Sequence, residues 1–285
     1  MDYHRTIMHV DFGSLAVNAV LRDHPDLIGK PFAICHHSIL TVVSEASAEA
    51  VACGVAPMQP LTIARKRCPE LIVIETPYAY FSAIAEQAFD ILLSFTHQVE
   101  QEQPYASFLD VTDQCQSLSD PMELVRAVRK KLCDALQLPV AIGVSYCKFL
   151  AKAASSLLPA QGGVRIIPHS CAYDMIGNFD INSFWPLRPE SLDKLREMGL
   201  LNGWQMRSCL SGQFSKALGP DYPLLLQLLD GEDDSPVVTS LETIVKHPFF
   251  DDEKSHHPVA DDRVTEKEAG KKHPAPQQLY FSFDE

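Results

Sequence analysis

No apolar run in this chain approaches the roughly 20 residues that a bilayer-spanning helix needs, so a helical membrane role is excluded from the start. A C-x-x-C pair is also missing. The eight cysteines, at 35, 53, 68, 115, 133, 147, 171 and 209, are scattered. That spacing excludes the usual zinc motifs and predicts reduced, mostly buried thiols in a cytoplasmic protein. The amino-terminal MDYHRTIMHVD has no signal-peptide layout, which points to the same compartment. Basic excess is absent too: 24 Lys+Arg stand against 37 Asp+Glu, a net charge of −13. Strong autonomous nucleic-acid binding is disfavoured by that balance, although a local basic patch is compatible with it. The deficit is uneven, since residues 231–285 hold 13 acids against 6 bases.

What is present suits a globular protein. The chain has 285 residues, 46% of them hydrophobic, with a mean hydropathy of −0.04. That is enough for one large or two smaller cores. Apolar, β-branched runs predict strands at Thr6–Phe12, Phe32–His37, Thr41–Ala46, Leu71–Glu75, Val99–Tyr105, Ser107–Val111, Val140–Ser145 and Val164–Ile167. Helical spacing predicts helices at Leu15–Val20, Ser47–Cys53, Leu61–Cys68, Pro77–Thr96, Met122–Leu136 and Lys148–Leu158. From Ser170 only helix signals follow, at Ser191–Met198, Gln205–Gly212, Phe214–Leu218 and Leu224–Leu229. The fold class is therefore α+β, with a mixed first part and a small all-helical second part. After Asp230 the composition turns polar and charged, and reads as a disordered acidic tail.

The stretch Val99–Asp113 (VEQEQPYASFLDVTD) carries the chemical question. Two strands presenting carboxylates side by side make a seat for a hard divalent cation. The Thr6–Phe12 strand offers Asp11 as the matching inward acid. The positions where one would look for a second and third metal ligand, Tyr105 and Ala106, have no carboxylate. Asp110 shares the face of Ala106 but lies four residues on, about 13 Å along the strand.

Six stretches in order resemble the Y-family translesion DNA polymerases. Ile7–Phe12 resembles the first palm strand. Pro31–Ile34 and Val42–Pro60 resemble fingers motifs, and Val99–Thr112 is similar without a gap to "VExxSIDEAYLDVT". Ile142–Gly163 resembles "IGxxxNKxLAKxASxxxKPxG", and Leu187–Leu200 the helix–hairpin–helix of the thumb. The resemblance implies a palm over 1–10 and 78–168, fingers over 11–77, a helical thumb over 169–230 and the tail over 231–285. It also shows where this chain departs. Asp11 falls on the first metal-binding acid, but the other two acids fall on Tyr105 and Ala106. The aromatic that excludes the 2′-hydroxyl falls on Ala16, and the fingers Tyr and Arg on Ala48 and Val51. Lys152 keeps the family's phosphate-contacting lysine. Any cofactor would be a residual Mg²⁺ at Asp11, and no ligand set is complete. The sequence thus resembles the ImuB-type inactive members, which serve as adaptors for a separate error-prone polymerase.

The thumb hairpin reads Pro186-Leu187-Arg188 without glycine, so Arg188 is the candidate DNA contact. No counterpart of the family's little-finger domain follows Asp230. The end of the chain, Gln278-Leu279-Tyr280-Phe281-Ser282-Phe283, resembles the hexapeptide that binds the bacterial sliding clamp, with Gln278, Leu279, Phe281 and Phe283 as its anchors. The implied partners are DNA, the clamp, an error-prone polymerase and a RecA-like accessory protein, and the implied location is cytoplasmic and nucleoid-associated. Arg65-Lys66-Arg67 reads first as a solvated face, Cys147 as an inert buried thiol, and the pairs His36-His37 and His256-His257 lack further metal ligands. Three functions follow: a non-catalytic adaptor, an active minimal polymerase drawing on Asp110 and Asp113, or a damaged-DNA-binding module.

Overall fold

The computed structural model describes residues 5–35, 42–75, 78–103, 105–116, 121–209 and 212–239, and the backbone of 278–280. Nine strands run in chain order: β1 (Ile7–Asp11), β2 (Phe32–Cys35), β3 (Val43–Ala46), β4 (Ile72–Glu75), β5 (Val99–Gln103), β6 (Ala106–Asp110), β7 (Ala141–Ser145), β8 (Gly163–Ile166) and β9 (Gln278–Tyr280). They form a five-stranded sheet ordered β5-β6-β1-β7-β8 and a four-stranded sheet ordered β3-β2-β4-β9. The chain divides into two compact units, one of residues 1–15 and 82–239, the other of residues 16–81 and 240–285. The divisions at 15/16 and 81/82 fall inside helices, Leu15–Asp23 and Tyr78–Leu93.

The first unit is built on β1. Ile7, Met8 and Val10 are completely buried and His9 nearly so. A strand buried on both faces belongs in the centre of a sheet. It pairs antiparallel with β6, Ile7 against Asp110 through Asp11 against Ala106. On its other side it pairs antiparallel with β7, Ile7 against Ser145 through Asp11 against Ala141. The Pro121–Leu136 helix begins on proline, which suits a first helical turn. It buries Val125, Val128, Leu132 and Leu136, one side of a 3.6-residue period.

The Lys148–Ser156 helix lies directly on the sheet, and Gly143 of β7 permits it. A Cβ there would sit 1.9 Å from the carbonyl oxygen of Ala151 and 2.4 Å from the amide nitrogen of Ser155. The helical part follows on the same core: Phe149, Phe184, Leu195, Leu225 and Leu228 are fully buried in one cluster. Residues 169–230 therefore pack as an extension of the sheet unit. Two helices of the sheet unit, Thr112–Gln116 and His169–Asn178, have no counterpart among the sequence expectations.

The tail expectation needs correction at residues 231–239; residues 240–277 and 281–285 lie outside the described residues. Gly231 closes the Asp221–Asp230 helix in the left-handed conformation, at φ 77°. The chain then runs as a strap along the sheet unit instead of leaving it. Asp233 accepts the amide of Phe149 at 2.8 Å, Arg5 donates to the carbonyl of Ser235 at 3.1 Å, and the amide of Val238 donates to Glu100 at 2.7 Å. Specific hydrogen bonds and the burial of Val237 outweigh the polar composition of residues 232–239. Farther on, β9 pairs parallel with β4, Val73 against Gln278 through Glu75 against Tyr280.

In the second unit, β2 pairs antiparallel with β3 and parallel with β4. Ser47 caps the short Ala48–Ala52 helix, its hydroxyl accepting the amide of Ala50. Arg67 donates to the carbonyl of Gly54 at 2.7 Å, so part of the basic run is a structural tie.

Candidate functional site

Asp11 stands at the end of β1, with Ala106 directly across on β6 and Ala141 across on β7. One of its oxygens accepts the amide of Gly13 at 2.7 Å. Tyr105 is the residue before β6, and its carbonyl accepts the amide of Phe12 at 3.0 Å. The strand ends thus bring one carboxylate opposite a methyl group, with the backbone of Tyr105 beside them. Among the described residues no group of three or more His, Cys, Asp or Glu could hold a metal ion. A pair of hard divalent cations needs several anionic oxygens, and this donor set does not fit them.

Asp110 and Asp113 do not repair the deficit. Asp110 lies opposite Ile7, at the far end of the β1–β6 pairing from Asp11. Its carboxylate accepts the amide and hydroxyl of Thr112 at 3.0 and 2.6 Å and stands 3.8 Å from Arg5. It is a turn-forming acid at the start of the Thr112–Gln116 helix, which carries Asp113.

Lys152 has a partner inside the protein. Its ammonium pairs with Glu102 of β5 and lies 4.4 Å from the ring centroid of Trp185. One helical turn earlier, Lys148 pairs with Glu100 at 2.6 Å, over Phe108 at 4.7 Å. Two residues on a strand advance about 6.8 Å and four on a helix about 6 Å, so the two lysines and two glutamates meet as parallel rungs. Buried His9 completes the second rung: its Nε2–H donates to Glu102 at 3.0 Å and its Nδ1 is 2.6 Å from the hydroxyl of Ser155. Burial pushes the Glu102 carboxyl up, but the hydrogen bonds from His9 and Lys152 and the lysine charge outweigh it and hold it below its ordinary range. Sequence reasoning missed His9, Glu100 and Glu102. Their signal was an acid at i and i+2 of a strand beside lysines at i and i+4 of a helix.

Arg188 is the residue just before the Pro189–Glu197 helix. Its Nε donates to Asp221 at 3.0 Å, and its side chain remains 57% exposed. Burial of Asp221 is outweighed by hydrogen bonds from Ser191 and Arg188, so its carboxyl is held below the ordinary range. The Cys147 thiol is pushed up to about 12, mainly by burial, which fits an inert core residue. In the second unit Ala16 is buried, while Ala48 and Val51 share the exposed side of their short helix. Gln278 and Leu279 lie in β9; Phe281, Phe283, His36, His37, His256 and His257 lie outside the described residues.

The sheet order and the helical extension define an α+β fold in which the end of β1 carries a single carboxylate, Asp11. The comparisons give the family. A model of the impB/mucB/samB family matches residues 10–156, and the chain belongs to that family. It is 33% identical over 233 residues to a DNA polymerase IV of Bacteroides fragilis, covering 82% of this chain and 64% of the relative. A DNA polymerase IV of Akkermansia muciniphila is 32% identical over 236 residues, covering 83% and 66%. The chain thus spans about two thirds of the length of these relatives. Among solved structures, DinB from Sulfolobus solfataricus superposes with a TM-score of 0.72 at 22% identity, over 81% of this chain and 69% of that one. An insertion ternary complex of Dbh DNA polymerase gives 0.71 at 22% identity, over 81% and 69%. The fold is that of the Y-family polymerases.

Proposed function

We propose that this chain is a non-catalytic, polymerase-fold adaptor in DNA-damage tolerance, working with a separate error-prone polymerase. The observation that carries the reading is the register of β1 against β6: Asp11 faces Ala106, with Tyr105 beside it, where a two-cation site needs acids. The Glu102–Lys152 pair supports it, because a lysine already matched by a buried carboxylate has little charge left for a triphosphate. In this reading the exposed Arg188 contacts a DNA phosphate with its outer nitrogens. Gln278, Leu279, Phe281 and Phe283 bind the sliding clamp, which requires β9 to leave its pairing with β4, and that attachment raises the local concentration of the whole protein near DNA.

A second reading, an active low-fidelity translesion polymerase, is favoured by the relatives, both of which are named DNA polymerase IV. Primer extension with all four nucleotides and Mg²⁺ or Mn²⁺ separates the two. The adaptor shows no extension above background. Extension that disappears in Asp11→Ala establishes the active polymerase instead.

A further inference from the structure

Two cysteines of the second unit end neighbouring helices. Cys53 directly follows the Ala48–Ala52 helix and Cys68 the Leu61–Arg67 helix, each with its amide still donating into the helix it closes. The two helix ends are held side by side. Arg67 donates to the carbonyl of Gly54 at 2.7 Å, and a Cβ on Gly54 would stand 3.6 Å from the Cδ of Arg67. The loop between the helices is itself fixed to β3. The amide of Met58 donates to the carbonyl of Val43 at 2.8 Å, and the amide of Val43 donates to the carbonyl of Gln59 at 2.9 Å. Within these ties the Cys68 thiol donates a hydrogen bond to the sulfur of Cys53. The surroundings of the two thiols are opposite. Cys53 is exposed, whereas Cys68 is only 3% exposed and packs in one cluster with Ala50, Val55 and Ala64. Burial pushes the Cys68 thiol up, and its contact with Cys53 adds to that. Cys35 lies in the same cluster and is pushed up to about 11, above all by burial.

We infer that Cys53 and Cys68 form a redox-controlled disulfide, closed by a hydroperoxide and opened by a thiol reductant. A disulfide bridges only chain segments that already run close together, and here the helix ends and the loop are in place before any reaction. Exposure sets the order of events. The Cys53 sulfur, as thiolate, attacks one oxygen of the peroxide. The S–O bond forms, the O–O bond breaks, and the leaving hydroxide takes up a proton to give water. The Cys68 sulfur then attacks the sulfenic sulfur of Cys53. The S–S bond forms, the S–O bond breaks, and the Cys68 proton leaves with the hydroxyl as a second water. The two thiols together lose two electrons and two protons, and the peroxide is reduced by them. The bond ties the end of one helix to the end of the next, constrains the unfolded chain and stabilises the unit. It is independent of whether the chain polymerises.

The test treats the full chain, reduced and then freed of reductant, with hydrogen peroxide at micromolar protein. After the remaining thiols are alkylated in denaturant, mass spectrometry of proteolytic peptides should find Cys53 joined to Cys68 within one chain, with Cys35 still a free thiol. Dithiothreitol should undo the link. The midpoint of urea unfolding should rise on oxidation and return on reduction. In Cys53→Ser, a change at an exposed position that leaves the core intact, the Cys68 thiol should survive peroxide at least about tenfold longer than in the wild type. In Cys68→Ala the Cys53 sulfenic acid should accumulate and be trapped by dimedone, which the wild type resolves before trapping. Cys53 carried on to the sulfinic acid beside a free Cys68 overturns the proposal. So do a disulfide found only between chains, Cys53 joined to any other cysteine, and equal loss of the Cys68 thiol in wild type and Cys53→Ser.

Discussion

Glu102 and Lys152 each stand in for water around the other. Both side chains are largely removed from solvent, at 17% and 25% exposure, and His9 supplies a second donor to the same carboxylate. Removing the charge from one member of such a pair leaves the other buried without its counter-ion. Glu102→Gln should therefore cost about 2 kcal/mol of stability at neutral pH, measured by urea unfolding. The pH dependence has a fixed sign. The folded carboxyl sits below its unfolded value, so its contribution is present above the ordinary carboxylate range and lost as pH falls through the folded value. The difference between wild type and Glu102→Gln should shrink toward zero on acidification. The same substitution should release Lys152: affinity for inorganic tripolyphosphate, measured by calorimetry, should rise about tenfold and fall back in Glu102→Gln/Lys152→Ala. Equal affinity in wild type and Glu102→Gln would remove Glu102 as the reason Lys152 is unavailable.

At the level of elements, the close seating of the Lys148–Ser156 helix on β7 decides which side chains meet. Gly143 lies opposite His9 across β1 and β7 and beneath the helix backbone at Ala151 and Ser155. The clash of an added Cβ is with backbone, which no rotamer change relieves. Gly143→Ala should lose about 3 kcal/mol or more and pull the helix away from the sheet. Circular dichroism with urea titration gives the first, and faster exchange of the amide protons of Lys148–Ser156 the second. Most of these elements were legible from pattern. Apolar, β-branched runs located eight of the nine strands described, because a strand buried in a sheet needs that composition whatever surrounds it. The Thr112–Gln116 helix was not legible, since its only strong local signal is the turn that Asp110 makes with Thr112. β9 was not legible either: it is three residues long and owes its pairing to β4, some two hundred residues earlier.

Across the whole molecule, the segment after the last helix has two parts with different expected behaviour. Residues 232–239 are tied to Phe149, Arg5 and Glu100. Ending the chain after Asp230 should lower the thermal midpoint of the sheet unit by several degrees, about 1–2 kcal/mol, while ending it after Thr239 should leave that transition in place. Calorimetry on the two truncations distinguishes them. The last residues carry the clamp assignment. A pull-down with purified sliding clamp should lose most retention in Phe281→Ala/Phe283→Ala, since anchors of this kind supply most of an interface's energy. Retention unchanged by both substitutions would remove the tail from the proposed function.

The sequence by itself determined the α+β class, the order of the family's motifs, and the replacement of the second and third acids by Tyr105 and Ala106. These are properties of period, composition and residue identity, and they survive without knowing what packs on what. Only the tertiary structure decided that Asp11 faces Ala106 and not Asp110, that Lys152 is taken by Glu102, and that residues 232–239 strap the sheet unit. Each of these depends on which distant residues a register and a close helix contact bring within a few ångströms, and no local pattern in the chain encodes that distance.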